Sequence, residues 1–183
     1  MNISLQWYKR SFIMFIASQV LVVVAYVFIA LSYAVKDRKK LLLFCIVACC
    51  WFVVAYSLME AWSAAAVNGI CVVRNIAFLF NKKPSEKKFN TIIFVSTIVA
   101  SLAVLILTYD GFWSTFAILG MIFSSISVYQ KNYTAYKVFG VLNSSCWIAY
   151  NCFVANTFGI ILESILLAYI VLEIIILKKH RRT

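Results

Sequence analysis

Residues 41–59, LLLFCIVACCWFVVAYSLM, carry no charged side chain. Crossing a hydrocarbon layer of about 30 Å takes roughly 17–25 apolar residues as a helix, and this run has that length. After Glu60 and Ala61 a second run, 62–80, WSAAAVNGICVVRNIAFLF, repeats the pattern with Arg74 as its only charge. Lipid offers the backbone no hydrogen-bond partner, so unbroken apolar runs must be helices; a barrel would show alternation instead. Working outward from this pair, five further runs follow at 11–34, 91–108, 112–128, 138–154 and 158–177. The chain therefore reads as an all-α, polytopic membrane protein with seven transmembrane helices in a single membrane domain, 1–183. The composition agrees: 64% of residues are hydrophobic and 13% charged, against about 45–50% and 25% in soluble domains. The first run follows Lys9 and Arg10 as a signal peptide would, but it exceeds the roughly 7–15 residues of a signal's apolar region. It is read as a spanning helix.

The net charge of +11 would suggest nucleic acid in a soluble protein, and its distribution excludes that here. Lys36, Arg38, Lys39 and Lys40 fall in the first connection; Lys82, Lys83, Lys87 and Lys88 in the third; Lys131 and Lys137 in the fifth. Lys178, Lys179, Arg181 and Arg182 form the tail. With seven alternating helices all of these lie on one side, and only Lys9 and Arg10 lie on the other. The positive-inside bias makes the basic side cytoplasmic, with the N-terminus outside and the C-terminus inside. The partner this charge implies is the lipid bilayer.

The longest polar break, 81–90 (NKKPSEKKFN), holds the only proline, Pro84, and is the expected linker. It divides the chain into three helices (11–80), one linker helix (91–108) and three more helices (112–177). Cys50-Trp51 in the second helix recurs as Cys146-Trp147 in the sixth, 96 positions on, and Asn68 in the third helix is matched by Glu163 in the seventh. A duplicated three-helix unit joined through one linker helix gives a 3+1+3 arrangement of parallel repeats about an axis along the membrane normal. Asn68 and Glu163 then face each other across that axis, with Trp51 and Trp147 close by.

Polar groups at bilayer depth are costly and usually face the bundle interior or a wet cavity. Glu163 reads either as a solute or proton site, exchanging a proton at accessible pH, or as a hydrogen bond between helices. Arg74 could snorkel to the headgroups or sit in the bundle and grip an anionic solute. Asn143, Trp147 and Asn151 recur at i, i+4 and i+8 on one helix face, with Tyr150 beside them. They could form an aromatic plate flanked by amides for a small polar solute, or knit helices together. Glu173 is expected to be neutralised by Lys178 and Lys179. Cys45, Cys49, Cys50, Cys71, Cys146 and Cys152 lie in apolar runs with no ligand spacing, and read as small hydrophobes rather than a disulfide framework or metal site. His180 is the only histidine, and there is no Gly-rich phosphate loop and no nucleophile paired with a base. Neither an enzyme nor a bound cofactor is expected.

The stretch Cys146-Trp147, Tyr150, Asn151, Gly159 and Glu163 resembles the bacterial inner-membrane YgjV family, as do the run Lys36-Asp37-Arg38-Lys39-Lys40 and Asn68. That resemblance implies a multi-pass protein of the bacterial inner membrane. More distantly, the 3+1+3 plan is similar to the SWEET and PQ-loop transporters. The similarity implies a central pocket built from Trp51, Trp147 and Asn68, with Glu163 where those transporters carry an amide. Their helix-kinking prolines are missing here. The expected function is a passive or proton-coupled carrier for a small polar solute, sugar-like or a small organic acid, working by rocking of the two halves. Trp51, Asn68, Trp147, Asn151 and Glu163 would form its site, with Arg74, Asn143 and Tyr150 as secondary candidates. A non-transporting membrane scaffold or sensor is the competing reading, and a homo-oligomer is compatible with either.

A membrane-impermeant thiol reagent applied to intact cells should modify Glu60→Cys and Asp110→Cys but spare Arg38→Cys, Lys87→Cys and Arg181→Cys until the membrane is opened. Labelling at position 87 in intact cells would reverse the assigned orientation.

Overall fold

The computed structural model describes residues 3–80, 87–109, 111–130 and 132–180. Pro84 and most of its linker, Asp110, Lys131, Arg181 and Arg182 lie outside the described residues. Among the described residues every regular element is helical: α1 Ile3–Ala34, α2 Arg38–Leu58, α3 Trp62–Leu79, α4 Lys87–Leu107, α5 Ser114–Tyr129, α6 Tyr133–Phe153 and α7 Thr157–His180. Within α1, α2, α3, α4 and α7, stretches of 18 to 23 residues are long and apolar enough to cross a membrane. The α5 helix is apolar but 16 residues long, about 24 Å at 1.5 Å per residue. The α6 helix has the length but carries Lys137, Asn143, Ser144, Ser145 and Asn151.

The apolar runs locate the helices, but local chemistry sets their ends. Three cations after Asp37 place the expected start of the second helix at 41, yet α2 begins at Arg38. The Asp37 carboxylate accepts the backbone N–H of Lys39 at 2.8 Å and of Lys40 at 3.4 Å, capping the first turn. Asn132 does the same for α6, accepting from Thr134 N–H at 2.8 Å. That cap draws α6 back to Tyr133 and takes Lys137 out of the connection where the apolar run had left it.

At their other ends α2 and α6 stop in one way. Glu60 (φ 59°) and Ala155 (φ 52°) are left-handed. The next residue's N–H reaches back to the last turn: Ala61 to the Tyr56 carbonyl at 2.9 Å, Asn156 to that of Asn151 at 3.0 Å. This is the Schellman closure, formed here without the usual glycine. Helix bounds also recur at one offset. Ala34 and Tyr129, Arg38 and Tyr133, Leu58 and Phe153, and Trp62 and Thr157 are each 95 positions apart. The Cys-Trp dipeptides, 96 apart, are therefore one residue out of register with the helices that hold them.

Helix α1 packs on α2 and α7, α2 on α3, α3 on α5, α5 on α6, and α6 on α7, which closes a ring of six. Exchanging α1, α2, α3 with α5, α6, α7 leaves that ring's pairings unchanged. Helix α4 leans on the α3–α5 seam. Outward faces are apolar, as at Val73, Ile106, Leu107, Ile165 and Leu172, while Asn68, Arg74, Asn75, Lys137, Asn151, Asn156 and Glu163 are buried. This distribution is the one lipid demands, since an unpaired polar group facing hydrocarbon loses every partner.

A left-handed alanine is strained by about 1 kcal/mol or more relative to glycine. Ala155→Gly should therefore stabilise the protein by about 0.5–1 kcal/mol, the gain being trimmed by the greater freedom of glycine in the unfolded chain. An upward shift of the thermal unfolding midpoint in detergent checks this.

Candidate functional site

A cavity lies inside the ring, with about 80 Å³ open to the centre of a water molecule, enough to admit several waters. Asn68 from α3, Asn143 and Trp147 from α6, and Glu163 from α7 all line it. Asn68 and Glu163 each sit six residues into their helix, 95 positions apart, and are 5% and 4% exposed. The Asn68 amide donates to the Ala64 carbonyl at 2.9 Å, which fixes its rotamer. The Glu163 carboxyl is faced by the hydroxyls of Ser144 and Tyr26. Asn143 Oδ1, on the cavity wall, is buried without a hydrogen-bond partner in the protein. Buried polar atoms in native structures are nearly always satisfied, so an orphan on the cavity wall points to a polar occupant.

Four of the expected residues, Trp51, Tyr150, Asn151 and Arg74, lie outside the cavity lining. Trp51 is 38% exposed and lies outside the cavity lining, on the outer face of α2. The wall position belongs to its neighbour Phe52, 7% exposed. One residue turns a helix by about 100°, so an alignment one position out selects the wrong face. At the offset of 95, Trp147 corresponds to Phe52. A sandwich of two tryptophans is not what the fold assembles. Instead Trp147 stacks on Tyr56 at 5.9 Å between ring centres, and Tyr150 meets both rings edge-on. Tyr150 is buried behind this cluster, away from the lining.

Asn151 is fully buried and held in a network. Its Oδ1 accepts from the Tyr56 hydroxyl at 2.8 Å and from Asn156 Nδ2 at 3.0 Å, while Asn156 Oδ1 accepts from Gly159 N–H at 3.0 Å. These bonds tie α2, α6 and the start of α7 together, which is the helix-knitting role. Arg74 does not snorkel. It is 3% exposed and donates to Ser125 Oγ at 2.8 Å, Ser124 Oγ at 3.2 Å and Asn75 Oδ1 at 3.1 Å. Glu173 is paired with Lys137 of α6, whose ammonium also lies 4.2 Å from the Tyr133 ring centre. Lys137, expected in a connection, thus lies on α6 and fills the role expected of the tail lysines.

Several lining residues escaped the sequence reading: Tyr26, Ser32 and Tyr33 of α1, Cys45 and Cys49 of α2, Met121, Ser124 and Ser127 of α5, and Tyr136 of α6. The spacing of Tyr26 and Tyr33, two turns apart in a long apolar helix, was the signal available. Toward each end of the bundle, polar contacts between helices recur in pairs at the same offset. At the end holding the first connection, Arg38 Nη2 donates to the Val128 carbonyl at 3.2 Å and the Tyr133 hydroxyl to the Tyr33 carbonyl at 2.6 Å. Arg38 and Tyr133 are 95 apart, and so are Tyr33 and Val128. At the opposite end Ser63 Oγ meets Ser114 Oγ at 3.3 Å, and Phe158 N–H donates to Gln19 Oε1 at 3.2 Å, again at matching positions.

A family model described as a bacterial inner membrane protein, Imp-YgjV, matches residues 16–181. The chain belongs to the YgjV family. No curated protein and no solved structure matches it. Membership places this YgjV protein in the bacterial inner membrane, and the helices found long and apolar enough to cross it make it multi-pass.

Gly159 is required where the Asn151–Asn156 network crosses α7. An added Cβ would lie 2.3 Å from Asn156 Nδ2 and 2.9 Å from Asn151 Cγ. Gly159→Ala should destabilise the YgjV protein by about 1–3 kcal/mol through overpacking, read as a lowered unfolding midpoint in detergent.

Proposed function

We propose that this inner-membrane protein is a carrier for a small polar solute, built as two three-helix halves with α4 as linker. The observation that carries the proposal is the shared cavity of Glu163 and Asn68. A carboxyl and an amide occupy matching positions on α7 and α3, on the wall of one internal space beside the unpartnered Asn143 Oδ1. The recurrence of helix bounds at 95 positions and the exchange-invariant ring support the two halves. So do the polar contacts paired at that offset, those of Arg38 and Tyr133 at one end and of Ser63 and Gln19 toward the other. In this reading rocking breaks one pair while the other holds, exposing the cavity to one side at a time. Trp147 on Tyr56 supplies an apolar plate, Asn68 and Asn143 bond the solute, and Glu163 binds a solute hydroxyl or carries a proton. Bending without proline falls to small and polar positions.

The bonded network of Tyr56, Asn151, Asn156 and Gly159 favours the second reading, a membrane scaffold or sensor in which polar groups serve packing. Uptake into proteoliposomes separates the two. The probes are labelled monosaccharides and small carboxylic acids, supplied from acidic to neutral pH. For the carrier, at least one accumulates, and Glu163→Gln abolishes the pH dependence while leaving the unfolding midpoint nearly unchanged. Wild-type pH dependence in Glu163→Gln, with Glu163→Leu merely unfolding the protein, makes Glu163 a packing residue and the proton-coupled carrier wrong.

A further inference from the structure

The cavity has two chemically different sides. Tyr26 and Glu163 form an oxygen-bearing side, with Ser144 packed against Glu163 behind it. The positions 95 residues away from them are Cys49, Asn68 and Met121, and these line the same cavity. Cys71 of α3 joins them, facing Cys49 across the α2–α3 interface within one buried cluster that includes Met121. Both thiols are free. Two thiols from α2 and α3 thus meet on one wall beside Met121 of α5, where the sequence shows only separated cysteines in apolar runs. The Met121 thioether accepts from Ser101 Oγ at 2.9 Å and would exchange that bond for a metal.

One turn along α3 from Cys71 lies Arg74, an unexplained charge. It is almost fully buried, and its hydrogen bonds run to the neutral side chains Ser124, Ser125 and Asn75. Among the described residues no carboxylate pairs with it. Asn75 Nδ2 beside it is a buried donor with no partner. A buried guanidinium without a counter-anion costs several kcal/mol, and membrane interiors tolerate one only where something compensates it. An anion formed at Cys49 and Cys71 would do so.

We infer that Cys49, Cys71 and Met121 form a binding site for a soft monovalent metal ion, Cu(I) or its analogue Ag(I), charge-balanced by Arg74. Thiolate and thioether ligands select Cu(I) over harder ions. Among the described residues no three His, Cys, Asp or Glu side chains converge as a metal-binding group, which disfavours a tetrahedral zinc site. Cu(I) is satisfied by two thiolates with a weak third ligand. The reaction is Cu(I) plus two thiols giving a bis-thiolate complex of charge −1 and two protons released to solvent, with no change of oxidation state. The complex and the guanidinium then sum to zero. Arg74 is a positioning residue that acts through charge, and it does not ligate the metal.

The site goes beyond the carrier proposal and fails separately from it, because equilibrium binding needs neither transport nor Glu163. The full chain, purified in detergent without oxygen, is titrated with Cu(I) against the chelator bicinchoninate. One Cu(I) per chain should be withheld from the chelator in the wild type, in Glu163→Gln and in Cys50→Ser/Cys152→Ser, which removes the two exposed cysteines. Cys49→Ser and Cys71→Ser should abolish that retention, and Met121→Leu should weaken it. Arg74→Lys should retain more affinity than Arg74→Gln, an order a purely packing role would not produce. Should the cysteine variants fail to fold, wild-type protein alkylated with and without Cu(I) and bicinchoninate keeps the question answerable, with selective protection of Cys49 and Cys71 expected. No retention by the wild type, equal retention in folded Cys49→Ser, or uniform alkylation of all six cysteines would each overturn the site.

Discussion

Hydrocarbon cannot hydrogen-bond, and that constraint organises the whole molecule. It forces the backbone into helices, whose carbonyls and amides are satisfied within each segment, and it turns every costly side chain away from the perimeter. The buried set is therefore polar to a degree that would be unusual in a soluble core. Arg74, Lys137 and Glu163 lie inside, while Ile106 and Leu107 face out at 80% and 82% exposure. Where an inward polar group found a partner, it became a fastener between helices, as with Lys137 on Glu173 and Tyr56 on Asn151. Asn143, whose Oδ1 has no partner, instead borders the cavity.

Near the headgroups, backbone carbonyls and side chains have water as an alternative partner, so a bond such as Arg38 to Val128, part-buried at the start of α2, exchanges against solvent at small net cost. Midway through the ring the packing is aromatic and thiol-rich, with Tyr26 edge-on to Phe52, Phe52 on Tyr56 and Tyr56 on Trp147. Polar contacts between helices thus lie toward the two ends, and aromatic packing lies between them. That gradient suits a protein whose halves move, and it equally allows a rigid scaffold whose ends adapt.

Helix identity was legible because a run of nineteen uncharged residues admits one solution in lipid. Helix ends were less so. Asp37 and Asn132 extend α2 and α6 beyond their apolar runs by capping, a one-residue signal that hydropathy averages away. The internal correspondence was visible in outline through Asn68 and Glu163. Its register was missed by one position at Trp51, because a dipeptide match weighs identity and ignores which face of the helix is buried. Asn143, Trp147, Asn68 and Glu163 reach the cavity as read, while Asn151, on the same helical stripe, is drawn into the bond with Tyr56 one turn farther along.

The sequence by itself determined the class of fold, the membrane setting, the approximate spans and the depth at which Asn68 and Glu163 sit, since each follows from residue type counted along one helix. Only the tertiary structure decided which side chains meet. Cys49 and Cys71 lie twenty-two positions apart on different helices, and no spacing rule joins them; the turn at Glu60 does, by folding α3 back against α2. Arg74 could reach the headgroups or the interior by length alone, and Ser124 and Ser125 on α5 fixed it inside. Periodicity gives the face of a helix to within a turn, but contact between helices depends on their rotation and on neighbours distant in sequence, which no local pattern encodes.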